Sequence, residues 1–115
     1  MKSFASIVLG LVSFVIVSCN GQFSKNIKII DPVSFTKEIE NTSNAQILDV
    51  RTPEEFATEH LQKAENVNWL SADFATNTTK YDKSKPVFVY CKSGRRSHQA
   101  AEKLAELGFT TIIEM

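Results

Sequence analysis

Residues 87–97 read Val-Phe-Val-Tyr-Cys-Lys-Ser-Gly-Arg-Arg-Ser. Lys85 and Pro86 punctuate the chain just before them. The unbroken apolar run from Val87 to Tyr90 then fits a strand buried on both faces, as parallel sheets require. Beyond Ser97, the residues Ala100, Ala101, Leu104, Ala105 and Leu107 recur at helical spacing, and Gly108 supplies a left-handed stop. Strand, short loop and helix therefore meet at Cys91.

Working outward, Thr110 to Ile113 reads as another buried strand. Upstream, Ile47, Leu48 and Val50 form a compact apolar run, and Thr52-Pro53-Glu54-Glu55 follows with the pattern of a capping box. That segment predicts strand, tight turn and a short helix ending near His60. Asp31 before Pro32 predicts a helix start, with Phe35 and Ile39 on one face. Val67 and Trp69 alternate with Asn66 and Asn68 as in a brief strand, and Ser71 suits the cap of a weak helix carrying Phe74. Strands and helices alternate, which predicts an α/β class: a mainly parallel central sheet flanked by helices.

The chain has 115 residues and a formal net charge of +0. Its lysines are scattered among acidic residues, so nothing favours a nucleic acid as partner. There are two cysteines, Cys19 and Cys91, and the histidines stand too far from them in sequence for a metal set to be argued.

Cys91 stands where open parallel sheets place their crevices, at the carboxyl end of a strand and before a helix. Helix amides and a loop curled at Gly94 favour an anion there, and such surroundings lower a thiol pKa from about 8.5. All three arginines, Arg51, Arg95 and Arg96, belong to segments that should border this crevice, whereas the ten lysines are spread more widely. Planar guanidinium forks suit oxyanions. A cysteine after a buried strand is otherwise an inert core residue. The glycine, paired arginines and helix start that follow argue for a reactive thiolate.

Together, Cys91 to Ser97 followed by Ala100, Ala101, Leu104 and Gly108 resembles the active loop and following helix of rhodanese-like domains. Asp49-Val-Arg-Thr-Pro-Glu-Glu-Phe56 with His60, Leu61, Ala64, Asn66 and Val67 resembles the second characteristic stretch of that family. The resemblance implies a rhodanese-like domain over residues 27–115 and a sulfurtransferase activity carried by a Cys91 persulfide. It implies a small sulfur-anion donor, a thiol or cyanide acceptor, and no cofactor. Lys92, Ser93, Gly94, Arg95, Arg96 and Ser97 would bind the substrate, with Arg96 matching the family pattern better than Arg95. Asp49 and Arg51 would brace the site, Ser97 would cap the helix or add a hydroxyl to the loop, and His98 reads as a solvated helix residue.

Cysteine phosphatases also place a thiolate before a helix, but their pattern has five residues between cysteine and arginine. Four separate Cys91 from Arg96, which favours sulfur over phosphate. The non-enzymatic alternative is a rhodanese-like binding or sulfur-carrier module. The family has glycine where Glu59 and Lys63 stand and proline where Asn68 stands. It also continues past the last strand with a glycine pair, a tryptophan and a helix. That C-terminal segment is expected to be missing here, which would leave one flank of the sheet exposed and make this a truncated domain, with inactivity through truncation as the alternative.

The beginning of the chain carries a separate message. Lys2 precedes a 14-residue, mostly apolar stretch from Phe4 to Val17, shorter than the roughly 20 residues a membrane span needs. Residues 1–18 read as an export signal peptide. Ile16-Val17-Ser18-Cys19 resembles a bacterial lipoprotein processing box, which implies cleavage before Cys19, lipid attachment to it, and a polar tether through residue 26. The expected location is periplasmic or at the cell surface, anchored to the lipid bilayer.

Overall fold

Short, continuously buried runs build the centre of the sheet. A computed structural model describes residues 26–115, so the expected signal peptide and Cys19 lie outside the described residues. Nine elements alternate: β1 (Ile27–Ile29), α1 (Pro32–Glu40), β2 (Gln46–Asp49), α2 (Pro53–Thr58), β3 (Glu65–Asn66), α3 (Phe74–Asn77), β4 (Val87–Tyr90), α4 (Arg95–Glu106) and β5 (Ile112–Glu114). The strands form one five-stranded sheet in the order β1-β5-β4-β2-β3, and every pairing is parallel. The expected α/β class, a parallel central sheet flanked by helices, is the one observed.

Side chains on β4 split by parity, as a pleated strand demands. Val87 and Val89, followed by Cys91, join a core with Leu48, Val50, Ala100, Ala101, Leu104, Ala105, Phe109 and Ile112 beneath α4. Phe88 and Tyr90 join Phe35, Ile47, Ala64 and Ile113 on the opposite face, beneath α1 and α2. Both faces are covered, so β4 tolerates an unbroken apolar run. Burying one such side chain contributes about 1.5–3 kcal/mol.

The helix starts follow the expected chemistry. Asp31 accepts from the Ser34 amide, with Pro32 opening α1. Thr52 and Glu55 close a reciprocal capping box at α2, where the Thr52 amide donates to Glu55 Oε1 at 3.0 Å and the Glu55 amide donates to Thr52 Oγ1 at 3.3 Å. At the end of α4, Gly108 takes φ +104°.

Several boundaries differ from the sequence reading. The helix after Thr52 ends at Thr58, and His60 instead stacks on Phe56. The strand expected around Val67 and Trp69 is assigned to Glu65–Asn66. Even so, Val67 and Trp69 donate amide hydrogen bonds to Asp49 O and Val50 O at 2.9 and 3.0 Å, so the chain continues extended along the end of β2. Ser71 accepts from the Asp73 amide rather than capping α3 directly. β1, which sequence reading did not assign, pairs with β5 at one edge. The large apolar side chains exposed among the described residues are Ile29 and Val33 at that edge, and Leu70.

Candidate active site

The carboxyl ends of β2 and β4 lie side by side, with Asp49 opposite Tyr90 in the register. The two stretches singled out in sequence, Asp49 to Phe56 and Cys91 to Ser97, therefore leave the sheet next to each other. An open cleft of about 340 Å³ between them is lined by Arg51, Glu59, His60, Leu61, Tyr90 and Cys91.

Cys91 is 9% exposed and is the free cysteine among the described residues. Gly94, at φ +92°, is the N-cap of α4 and turns the loop back over the sulfur. The amides of Gly94 and Ser97 then donate to Cys91 Sγ at 3.1 and 3.3 Å. Burial pushes the thiol pKa up, but the Ser97 side chain and the amides of Ser97, Gly94 and Ser93 outweigh it and hold the thiol below its ordinary value. Donors aimed at sulfur stabilise the anion selectively.

The arginines are placed differently from one another. Arg96 forks onto Glu55, with 2.7 Å to Oε1 and 3.1 Å to Oε2. This pairing, with the capping-box bonds, holds the Glu55 carboxyl down at about 2. Arg51 grips Asp49 through Nε and Nη2 and also donates to Glu59 O at 2.7 Å. Asp49 is fully buried, and the Tyr90 hydroxyl donates to its Oδ2 at 2.7 Å. Burial and the Asp49 bond raise the Tyr90 hydroxyl to about 12. Lys92, Ser93 and Arg95 are exposed on the outer rim of the loop.

The structure thus brings Asp49, Arg51, Cys91, Gly94, Arg96 and Ser97 together, and leaves Lys92, Ser93 and Arg95 at the periphery. It assigns the helix cap to Gly94 instead of Ser97, whose side chain donates to Gly94 O at 3.1 Å. His98 is exposed on α4, as expected of a solvated helix residue, and its Nδ1 in addition lies 2.9 Å from Glu114 Oε2. Sequence reading missed Glu55 as the partner of Arg96. It also missed Tyr90 and Leu61, whose amide donates to the Tyr90 hydroxyl at 3.0 Å. Only the capping-box pattern drew attention to Glu55, and nothing in it pointed across to α4.

Among the described residues, no cluster of three or more metal-ligating side chains occurs.

The profile of the Rhodanese-like domain family matches residues 31–115. The chain belongs to this family. It is 42% identical over 65 residues to the thiosulfate sulfurtransferase PspE of Escherichia coli, covering 56% of this chain and 62% of that protein. Against the uncharacterized protein YqhL of Bacillus subtilis it is 37% identical, covering 62% of this chain and 55% of that one. The chain thus spans somewhat over half the length of these two relatives. Among solved structures, an E. coli rhodanese with anions is 39% identical at a TM-score of 0.52, covering 61% of this chain and 82% of that one. A rhodanese-like domain protein from Staphylococcus aureus superposes with a TM-score of 0.66 at 24% identity, over 75% of this chain and 81% of that one. The latter likeness concerns the fold alone.

Proposed function

We propose that this rhodanese-like chain is a sulfurtransferase that moves sulfane sulfur through a persulfide on Cys91. The observation that carries the reading is the pair of amides from Gly94 and Ser97 directed at Cys91 Sγ at the open end of a cleft. With thiosulfate as donor, the thiolate attacks the outer sulfur. A Cys91 Sγ–S bond forms, the sulfur–sulfur bond of thiosulfate breaks, and its electron pair leaves with sulfite. An acceptor such as cyanide or a thiolate then attacks the outer sulfur and restores the Cys91 thiolate. The loop amides hold negative charge in both steps. Arg95 and Lys92 attract the anionic donor from the rim, while Arg96, Arg51 and Asp49 keep the loop and cleft in shape.

The test is to supply thiosulfate and cyanide to the purified chain beside a Cys91→Ser variant and follow thiocyanate. Thiocyanate from the wild type alone supports the reading, and equal formation in both defeats it.

A second reading, a sulfur carrier charged by a protein persulfide or polysulfide, is favoured by one observation: the Arg96 and Arg51 forks are already occupied by Glu55 and Asp49. A mass gain of one sulfur on wild type without thiosulfate turnover selects it.

The proposal for location is export and lipid attachment at Cys19. It rests on the sequence of the leader; among the described residues, no helix is long and apolar enough to cross a membrane. Mass spectrometry of the N-terminus from the membrane fraction tests it, and an unmodified Cys19 refutes it.

A further inference from the structure

His60 lines the cleft together with Cys91 and takes no part in the transfer steps above. Its Nδ1 stands 2.8 Å from Phe56 O. A carbonyl oxygen only accepts, so the hydrogen of that bond belongs to Nδ1 whether the ring is neutral or charged. The lone pair of the neutral ring then falls to Nε2, which has no hydrogen-bond partner among the described residues. The ring also stacks on Phe56, with centroids 3.7 Å apart and planes 8° from parallel. These two contacts with one residue fix the plane of the imidazole and decide which nitrogen can take a proton. With Nδ1 turned to its own backbone, Nε2 is the polar atom that His60 offers to the cleft.

The second transfer step creates a use for such an atom. A thiol acceptor has to lose its proton for its sulfur to attack the persulfide. A thiolate entering already charged meets the negative charge of that persulfide, whereas a neutral thiol does not. The cleft is only about 340 Å³, so a thiol held against the outer sulfur also lies against the other lining side chains. Arg51 is a cation committed to Asp49 and to Glu59 O. The Tyr90 hydroxyl is spent on Asp49 and raised to about 12. A carboxylate such as that of Glu59 is a weaker base than imidazole, which exchanges protons near neutral pH.

We propose that His60 is the catalytic base that takes the proton of a thiol acceptor, through Nε2, as the Cys91 persulfide is discharged. The S–H bond of the acceptor breaks and the proton goes to Nε2. The electron pair left on that sulfur forms a bond to the outer sulfur of the persulfide. The Cys91 Sγ–S bond breaks, and its pair returns to Sγ, where the Gly94 and Ser97 amides receive the charge. One anion enters the step; two anionic sulfurs and one imidazolium leave it. The Phe56 face stabilises that imidazolium, which passes its proton to the departing persulfide or to water. Charging by thiosulfate moves no proton, so His60 is assigned to one half of the cycle.

The inference rests on the sulfur-transfer reading and is tested in the discharge step alone. The full chain, wild type or His60→Gln, is charged with thiosulfate, checked by mass, freed of sulfite and mixed at neutral pH with one of two acceptors. β-Mercaptoethanol arrives with its proton, and thionitrobenzoate arrives already ionised. Gln keeps an amide able to donate to Phe56 O but takes up no proton. His60→Gln is expected to lower the ratio of the two discharge rates, β-mercaptoethanol over thionitrobenzoate, by about 100-fold. In His60→Ala, added imidazole is expected to restore discharge to β-mercaptoethanol.

His60 is exposed, so both variants should fold, and melting temperature checks this. An unchanged ratio, with both acceptors slowed equally or neither slowed, overturns the proposal and leaves the sulfur-transfer reading intact. A wild type that gains no sulfur, or passes it to neither acceptor, sinks that reading and this inference with it.

Discussion

Arg96 and Glu55 form a two-pronged ion pair that ties the first turn of α4 to the first turn of α2, at 2.7 and 3.1 Å. The loop around Cys91 is thereby fastened to the segment bordering the other side of the cleft. Glu55 is positioned for this by its own capping box, so one carboxylate starts one helix and moors another.

If Arg96 acts as a mooring, Glu55→Gln and Arg96→Ala lower kcat/KM for sulfur transfer to similar extents, and the double variant is no worse than either. Gln preserves the capping box, so the effect reports on the ion pair. A rise in KM for thiosulfate confined to Arg96→Ala would mean that Arg96 binds the donor directly. Steady-state kinetics over the double-mutant cycle decides this.

The Glu55 carboxyl titrates at about 2, below its ordinary 4.5, chiefly through Arg96. A depressed carboxyl contributes stability that is complete above 4.5 and lost as pH falls through about 2. The ion pair is therefore expected to survive mild acid, and carbon-detected NMR titration of Glu55 should show no midpoint near 4.5.

Gly94 sits at φ +92°, and a Cβ added there meets no atom within 4 Å. Gly94→Ala is therefore strained without clashing, at about 1–2 kcal/mol. The expected outcome is a lower melting temperature with a raised alkylation midpoint for Cys91, as the Gly94 amide swings away from sulfur. A lowered melting temperature with an unaltered midpoint would separate the turn from the chemistry.

Asp49 is fully buried against Arg51, whose side chain is 14% exposed. Asp49→Ala leaves that guanidinium and the Tyr90 hydroxyl without their acceptor, and about 3–5 kcal/mol of stability should be lost. Tyr90→Phe removes one hydroxyl and should cost about 1–2 kcal/mol. Urea unfolding of the two variants tests the order.

Lys63 adopts φ +69°, a conformation that costs a residue with a side chain about 1–2 kcal/mol. Lys63→Gly is expected to raise stability by about 0.5–1 kcal/mol, the relief being partly offset by glycine entropy in the unfolded chain. Thermal melting reads the sign.

Much of this arrangement was legible because local chemistry and burial agreed. Val87 to Tyr90 could be recognised since parallel strands hide both faces, and the caps at Asp31 and Thr52 since those side chains bond their own backbone. The edge strand β1 escaped notice: three residues carry little periodicity, and its register depends on β5. Glu114 was missed for a related reason, since a terminal carboxylate does not announce burial until His98 and Ser97 are brought to it by α4. The Lys63 position was partly readable, because glycine stands there in the family and the backbone takes the left-handed form glycine favours. Arg96 was singled out from its place in the loop after Cys91, but pattern alone could not reveal that Glu55 already holds it.

The loop that folds its amides back onto Cys91 has a further consequence, which concerns timing. The amides of Gly94 and Ser97 reach the sulfur because Gly94 turns the loop and α4 starts in the right place, an arrangement the unfolded chain does not hold. Before folding, the cysteine is an ordinary thiol, mostly protonated at neutral pH and slow to react. Reactivity is thus conferred by the folded state, and a chain that has not yet folded is chemically quiet. Linkage makes the relation reciprocal: with the thiol pKa lowered on folding, the ionised sulfur in turn stabilises the fold. That contribution is complete above the thiol's unfolded pKa and vanishes as pH falls through its folded one.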